Sequence, residues 1–85
     1  MYSIDYSKAS RKAMKSMPRN TARLVMEKIE SLAVDPYAPN NNVRKLTNHP
    51  GYRLRVGDWR VVYLIHEHEL VIVVVRIAPR GEVCQ

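Results

Sequence analysis

Three arginines stand in YRLRVGDWRVVY, Tyr52 to Tyr63, a stretch otherwise patterned as two β-strands. A guanidinium stays protonated near neutral pH and presents a planar fork of donors that suits phosphate or carboxylate. Gly57-Asp58 reads as a two-residue hairpin loop, which pairs Val56 with Trp59, Arg55 with Arg60, Leu54 with Val61 and Arg53 with Val62. Tyr52, Leu54, Val56, Trp59, Val61, Tyr63 and Ile65 then share one face, and Arg53, Arg55 and Arg60 share the other. Like charges directly opposite across strands are destabilising. A phosphate seated over the pair would offset that cost. A solvated face, with the arginines splayed toward Asp58, Glu67 or Glu69, is the alternative reading. Arg80 follows Pro79 at the end of the last strand, where a compact sheet brings it near the other three.

Other reactive residues form weaker patterns. His66 and His68 in HEHE are spaced i, i+2 with no second Cys/His pair nearby, which fits a polar hairpin tip better than a metal site. His49 in NHPG is a candidate for proton transfer or a turn residue. Cys84 is the single cysteine, so no internal disulfide can form and the thiol is expected free. Arg11, Lys12 and Lys15 give the first helix a basic face suited to RNA or simply to solvent. No metal and no cofactor is expected.

The elements that must position these residues follow from periodicity. YSIDY alternates as a short strand with Tyr2, Ile4 and Tyr6 on one side. Ser7 can cap a helix with Ala9, Ala13, Met14 and Met17 as its apolar positions, and Pro18 ends it. A second helix is expected from Asn20 as N-cap, with Ala22, Val25, Met26, Ile29, Leu32 and Ala33 on one face. DPYAPNNN predicts an exposed loop, pinned to the core by Val43 and Leu46. Strands then run Tyr52 to Val56, Trp59 to His66 and Leu70 to Ile77. The order β-α-α-β-β-β makes an α+β domain, a helical hairpin on one face of a mainly antiparallel four-stranded sheet.

A chain of 85 residues fits one domain, residues 1–85. Its formal charge of +6 points to a polyanionic partner, either nucleic acid or an acidic protein. The first residues lack the apolar run of a signal peptide, and LVIVVV is too short to cross a bilayer. A cytoplasmic location with no membrane partner is therefore expected.

Three segments, LAVDPYAPNNNVRKL, YRLRVGDWRVVYLI and IAPRGEVC, together resemble the RelE/ParE superfamily of type II toxin–antitoxin toxins, on its RelE side. They match an L–DP helix end with K-L after the loop, a YR-R-G-(Y/W)R-V-Y hairpin and a terminal R-G-E-V-Y. The resemblance implies a bacterial toxin with a fold related to microbial ribonucleases. It implies a ribosome-dependent endoribonuclease that cuts mRNA in the A site without a metal, with the ribose 2′-hydroxyl attacking the adjacent phosphate. Its implied partners are the ribosome, mRNA and a cognate antitoxin, in a heterotetramer or larger complex. Arg60 and Arg80 match the family's phosphate-stabilising arginines, and Arg53 and Arg55 stand where basic residues, commonly lysine, occur. Glu82 joins His49 as a candidate for proton transfer. Cys84 stands where the family usually has a tyrosine, and a thiol supplies neither its stacking surface nor its phenol. Lys45, of the K-L pair, completes the RNA-contact set with Arg11, Lys12 and Lys15. The alternatives are a ParE-like toxin that inhibits DNA gyrase, or a weakened member that mainly binds its antitoxin.

Overall fold

The first strand, β1 (Ser3–Tyr6), hands over to helix α1 (Lys8–Ser16) through Ser7, the expected N-cap. The computed structural model describes residues 1–81. Ser7 Oγ accepts the Ser10 amide at 3.1 Å and donates to the Val75 carbonyl at 2.9 Å. The Ser10 hydroxyl, fully buried, lies within hydrogen-bonding distance of the Ser7 and Val74 carbonyls at 2.9 and 3.2 Å. These bonds tie the start of α1 to the strand beneath it.

Helix α2 (Arg19–Val34) begins two residues earlier than an Asn20 cap would place it, and Asn20 does not cap it. Pro18 is the residue before the helix, and its carbonyl accepts the Ala22 amide at 2.9 Å. Proline supplies a fixed φ near the helical value, so the turn closes ahead of Asn20. The Asn20 side chain instead accepts the Thr21 amide at 3.0 Å. Val25, Ile29, Leu32 and Ala33 are buried as the periodicity predicts, whereas Met26 remains 40% exposed.

The remaining strands are β2 (Val43–Lys45), β3 (Tyr52–Val56), β4 (Trp59–His66) and β5 (Val71–Pro79). The sheet therefore has five strands where four were expected, in the order β1-β5-β4-β3-β2. β1 runs parallel to β5, and every other pairing is antiparallel. Val43, expected to anchor a loop, lies in the extra strand β2, which is fixed to β3 by the bonds flanking it. Arg55 N donates to Asn42 O at 2.8 Å, and Leu46 N donates to Gly51 O at 3.1 Å.

Both helices cover one face of the sheet. Val25, Ile29 and Leu32 pack there with Leu54, Val56, Val61, Tyr63, Ile72, Val74 and Ile77. The β3–β4 register is the one read from the sequence, residue for residue. Gly57 has a φ of 57° and Asp58 is not at positive φ, which suits a loop with glycine first. The β4–β5 register shifts between Val62 and Tyr63, since Val62 pairs with Arg76 but Tyr63 with Val74.

Candidate functional site

The face of the sheet turned away from the helices carries Arg53, Arg55 and Arg60, because their strand partners alternate with the core residues. Arg55 and Arg60 are directly opposed. Arg60 is held by its own hairpin: Nη1 donates to the Gly57 and Trp59 carbonyls, each at 3.0 Å. Among the described residues this leaves Nε and Nη2 of Arg60 without a protein acceptor. Arg55 Nη2 donates to Asn42 Oδ1 at 3.1 Å, so a loop amide orients the second guanidinium.

Arg80 joins this group. Its backbone amide donates to the Asp58 carbonyl at 2.6 Å, locking the end of β5 against the hairpin tip. Partial burial lowers the Arg60 pKa, and the charges of Arg53, Arg55 and Arg80 lower it further, with Asp58 opposing them. The four guanidinium groups therefore share one electrostatic environment. Among the described residues no carboxylate lies within 4 Å of Arg53, Arg55, Arg60 or Arg80, and the His66 ring meets Glu69, Nδ1 to Oε1 at 3.2 Å. The splaying of arginines toward Asp58, Glu67 or Glu69 is thus not seen. At their centre Val62 and Ala78, both buried, make a small apolar floor with Leu46 and Val75. The arrangement can hold an anion with a flat or apolar portion beside it.

Residues absent from the sequence-based set also reach this face. Arg44 on β2 lies directly opposite Arg53. A depression of about 50 Å³ is lined by Asn41, Asn42, Arg44, Arg53 and Arg55. A wider groove of about 480 Å³ runs along Val43 to Thr47 and Arg53. The signal for Arg44 was its place in a strand, and a strand of three residues has too little alternation to show itself.

Several sequence candidates lie elsewhere. Lys45 pairs with Tyr52 on the core-facing side, its Nζ 4.9 Å from the centre of the Tyr52 ring, which stacks on Tyr63 at 5.6 Å. Arg11, Lys12 and Lys15 are exposed on α1, in the helical layer, and Arg11 Nε donates to the Tyr6 carbonyl at 3.2 Å. His49 Nδ1 accepts the Gly51 amide at 2.9 Å, so it performs the turn role. His66 ends β4 at the hairpin tip, and no group of three metal-ligating side chains occurs among the described residues. Glu82 and Cys84 lie outside the described residues.

The family described as the ParE toxin of the type II toxin–antitoxin system, parDE, matches residues 4–83. The chain belongs to the RelE/ParE superfamily. A chain of the archaeal RelE–RelB complex from Pyrococcus horikoshii OT3 is 30% identical, with a TM-score of 0.82 over 96% of this chain and 98% of that one. The intact Escherichia coli RelBE complex contains a chain at 19% identity, TM-score 0.80, covering 98% of this chain and all (100%) of its own. A metal-bound toxin from Helicobacter pylori is 24% identical, TM-score 0.79, over 99% of this chain and 100% of its own. The last two likenesses speak for the fold. No curated protein matches the sequence. This superfamily member is a type II toxin by family, with the α+β fold of the RelE structures. Among the described residues, no helix is long and apolar enough to cross a membrane.

Proposed function

We propose that this toxin is an endoribonuclease that cuts mRNA in the ribosomal A site and is neutralised by a cognate antitoxin. The observation that carries the reading is the group of Arg53, Arg55 and Arg60 on one sheet face, with Arg80 tied to the same hairpin and no carboxylate within 4 Å of any of them among the described residues. In the reaction the 2′-oxygen bonds to phosphorus, the P–O5′ bond breaks, and negative charge builds on the phosphorane oxygens. Guanidinium forks already set in place stabilise that charge without reorganising. Arginine is a poor general base, and His49 Nδ1 is occupied by the Gly51 amide. Uptake of the 2′-hydroxyl proton and its delivery to the 5′-oxygen are assigned to Glu82, with His49 through Nε2 as the other candidate and Cys84 in the place of the family tyrosine. An antitoxin, of the kind present in the intact RelBE toxin–antitoxin complex, would cover the arginine face.

The test is expression of the wild type, Arg60→Ala and Arg80→Ala in a bacterium, with growth and transcript ends followed together. Wild type should arrest growth and leave cuts within translated frames, and each substitution should lower cleavage by at least about 100-fold. Growth arrest with intact mRNA, unchanged by either substitution, would overturn the proposal.

The match to the ParE toxin description favours a second reading, a toxin that binds DNA gyrase without cutting RNA. A supercoiling assay decides between the two. Inhibition by purified toxin, with no transcript cuts, would select the gyrase reading.

A further inference from the structure

The arginine face contains a second opposed pair, and the catalytic reading leaves one member of it, Arg44, without a task. Arg44 on β2 faces Arg53 on β3, as Arg55 on β3 faces Arg60 on β4. Each pair places like charges directly opposite, a costly choice on a strand as short and exposed as β2. Among the described residues no carboxylate within 4 Å offsets Arg44 or Arg53. Asn41 and Asn42 close the depression beside them, and the Asn42 carbonyl group of the side chain holds Arg55. A pair of forks rimmed by neutral amides is a receptor for an oxyanion.

The two pairs are related by one strand step across the sheet and two residues along β3. With strands about 4.8 Å apart and about 3.4 Å per residue, their midpoints are separated by roughly 8 Å. Neighbouring phosphates of an extended single strand fit that interval. We infer that Arg44 and Arg53 form a second phosphate site, which holds a flanking phosphodiester of single-stranded RNA while Arg55, Arg60 and Arg80 hold the scissile one. The inference rests on the ribonuclease reading and extends it: the strand crosses the sheet obliquely, from the β4 side out to the β2 edge. Arg53 stands between the two sites and serves both. The amides of Asn41 and Asn42 lie beside the flanking nucleotide, within the chemistry that reads a base edge.

Fluorescence anisotropy at low salt tests this with two non-cleavable probes labelled through an uncharged linker. One is a 2′-O-methyl RNA hexamer, and the other is the dinucleotide with a single phosphodiester. Arg44→Ala should weaken hexamer binding about tenfold, the scale of one charged contact. It should also flatten the dependence of log K on log salt by about 0.7, the share of one phosphate on a single strand. Dinucleotide binding should be unchanged, while Arg60→Ala weakens both probes. Arg44→Lys should restore the salt slope, and Arg44→Gln, which keeps a polar donor without the charge, should not. Equal hexamer affinity and slope in wild type and Arg44→Ala would overturn the second site. An equal loss on the dinucleotide would assign Arg44 to the scissile phosphate instead and also overturn it. Wild type that binds neither probe would overturn this inference alone, because the ribonuclease reading stands or falls on transcript cleavage in translating cells.

Discussion

Arg60 shows how a single side chain is prepared for an anion. Two hydrogen bonds from Nη1 to hairpin carbonyls fix the plane of the guanidinium, and neighbouring cations raise the cost of its charge. Lysine would keep the charge but lose both the fork and the simultaneous hold on Gly57 and Trp59. Arg60→Lys should therefore lose most of the cleavage that Arg60→Ala loses, measured by primer extension on a translated transcript. Near wild-type cleavage would show that charge alone suffices. Tyr63 is the opposite case, a polar atom with no chemistry to perform. Its hydroxyl is buried and has no hydrogen-bond partner among the described residues, and its pKa is pushed up to about 12, chiefly by burial and then by Tyr52. The unfolded tyrosine titrates near 10, so the folded state holds its proton where the unfolded chain releases it. Stability is then full below about pH 10 and falls as pH rises toward 12. Tyr63→Phe should be at least as stable as wild type at neutral pH, and urea melts should show a shallower loss between pH 10 and 12. An equally steep loss in the variant would assign the alkaline sensitivity to other tyrosines.

The β5 bulge explains how strand and helix deliver Arg80. Before the bulge Ile72 and Val74 point into the core; after it, Ile77 does and Ala78 faces outward. Without the extra residue, Ala78 and Arg80 would fall on the core side, since a one-residue slip exchanges faces. Ser7 and Ser10 bond the Val74 and Val75 carbonyls at this irregularity, so the start of α1 braces it. Ser7→Ala removes both the cap and the brace and should cost about 1–2 kcal/mol in urea denaturation. A loss below a few tenths would mean that the bulge needs no support from α1. The same region marks the limit of what the sequence made legible. The β3–β4 hairpin could be read to the residue, because Gly57-Asp58 fixes the loop and alternation fixes the faces. Ser7 was legible as a cap for the same local reason. The bulge and the role of Ser10 depend on contacts across more than 60 residues of chain, which no local pattern records. β2 was missed because three residues carry no measurable period, and with it went Arg44.

At the scale of the molecule, charge is distributed by layer. The helices cover one face of the sheet, leaving the opposed arginine pairs on the other in a chain of formal charge +6. Such a face costs stability when empty and regains it when an anion binds, because only the folded state assembles the site. Opposed like charges cost several tenths of a kcal/mol, and in a domain of this size each kcal/mol moves the melting temperature by about 4–8 °C. Arg55→Ala should accordingly melt about 2–4 °C above wild type in dilute chloride. Inorganic phosphate at matched ionic strength should reverse the order. At ten times its dissociation constant it contributes about 1.4 kcal/mol to wild type, and it should contribute little to the variant, whose facing pair is broken. Differential scanning fluorimetry in paired chloride and phosphate buffers reads both effects. If Arg55→Ala melts no higher in chloride, the arginines do not strain the sheet. If phosphate shifts both proteins equally, the response belongs to the general cationic surface, and the facing pair is not where the anion sits.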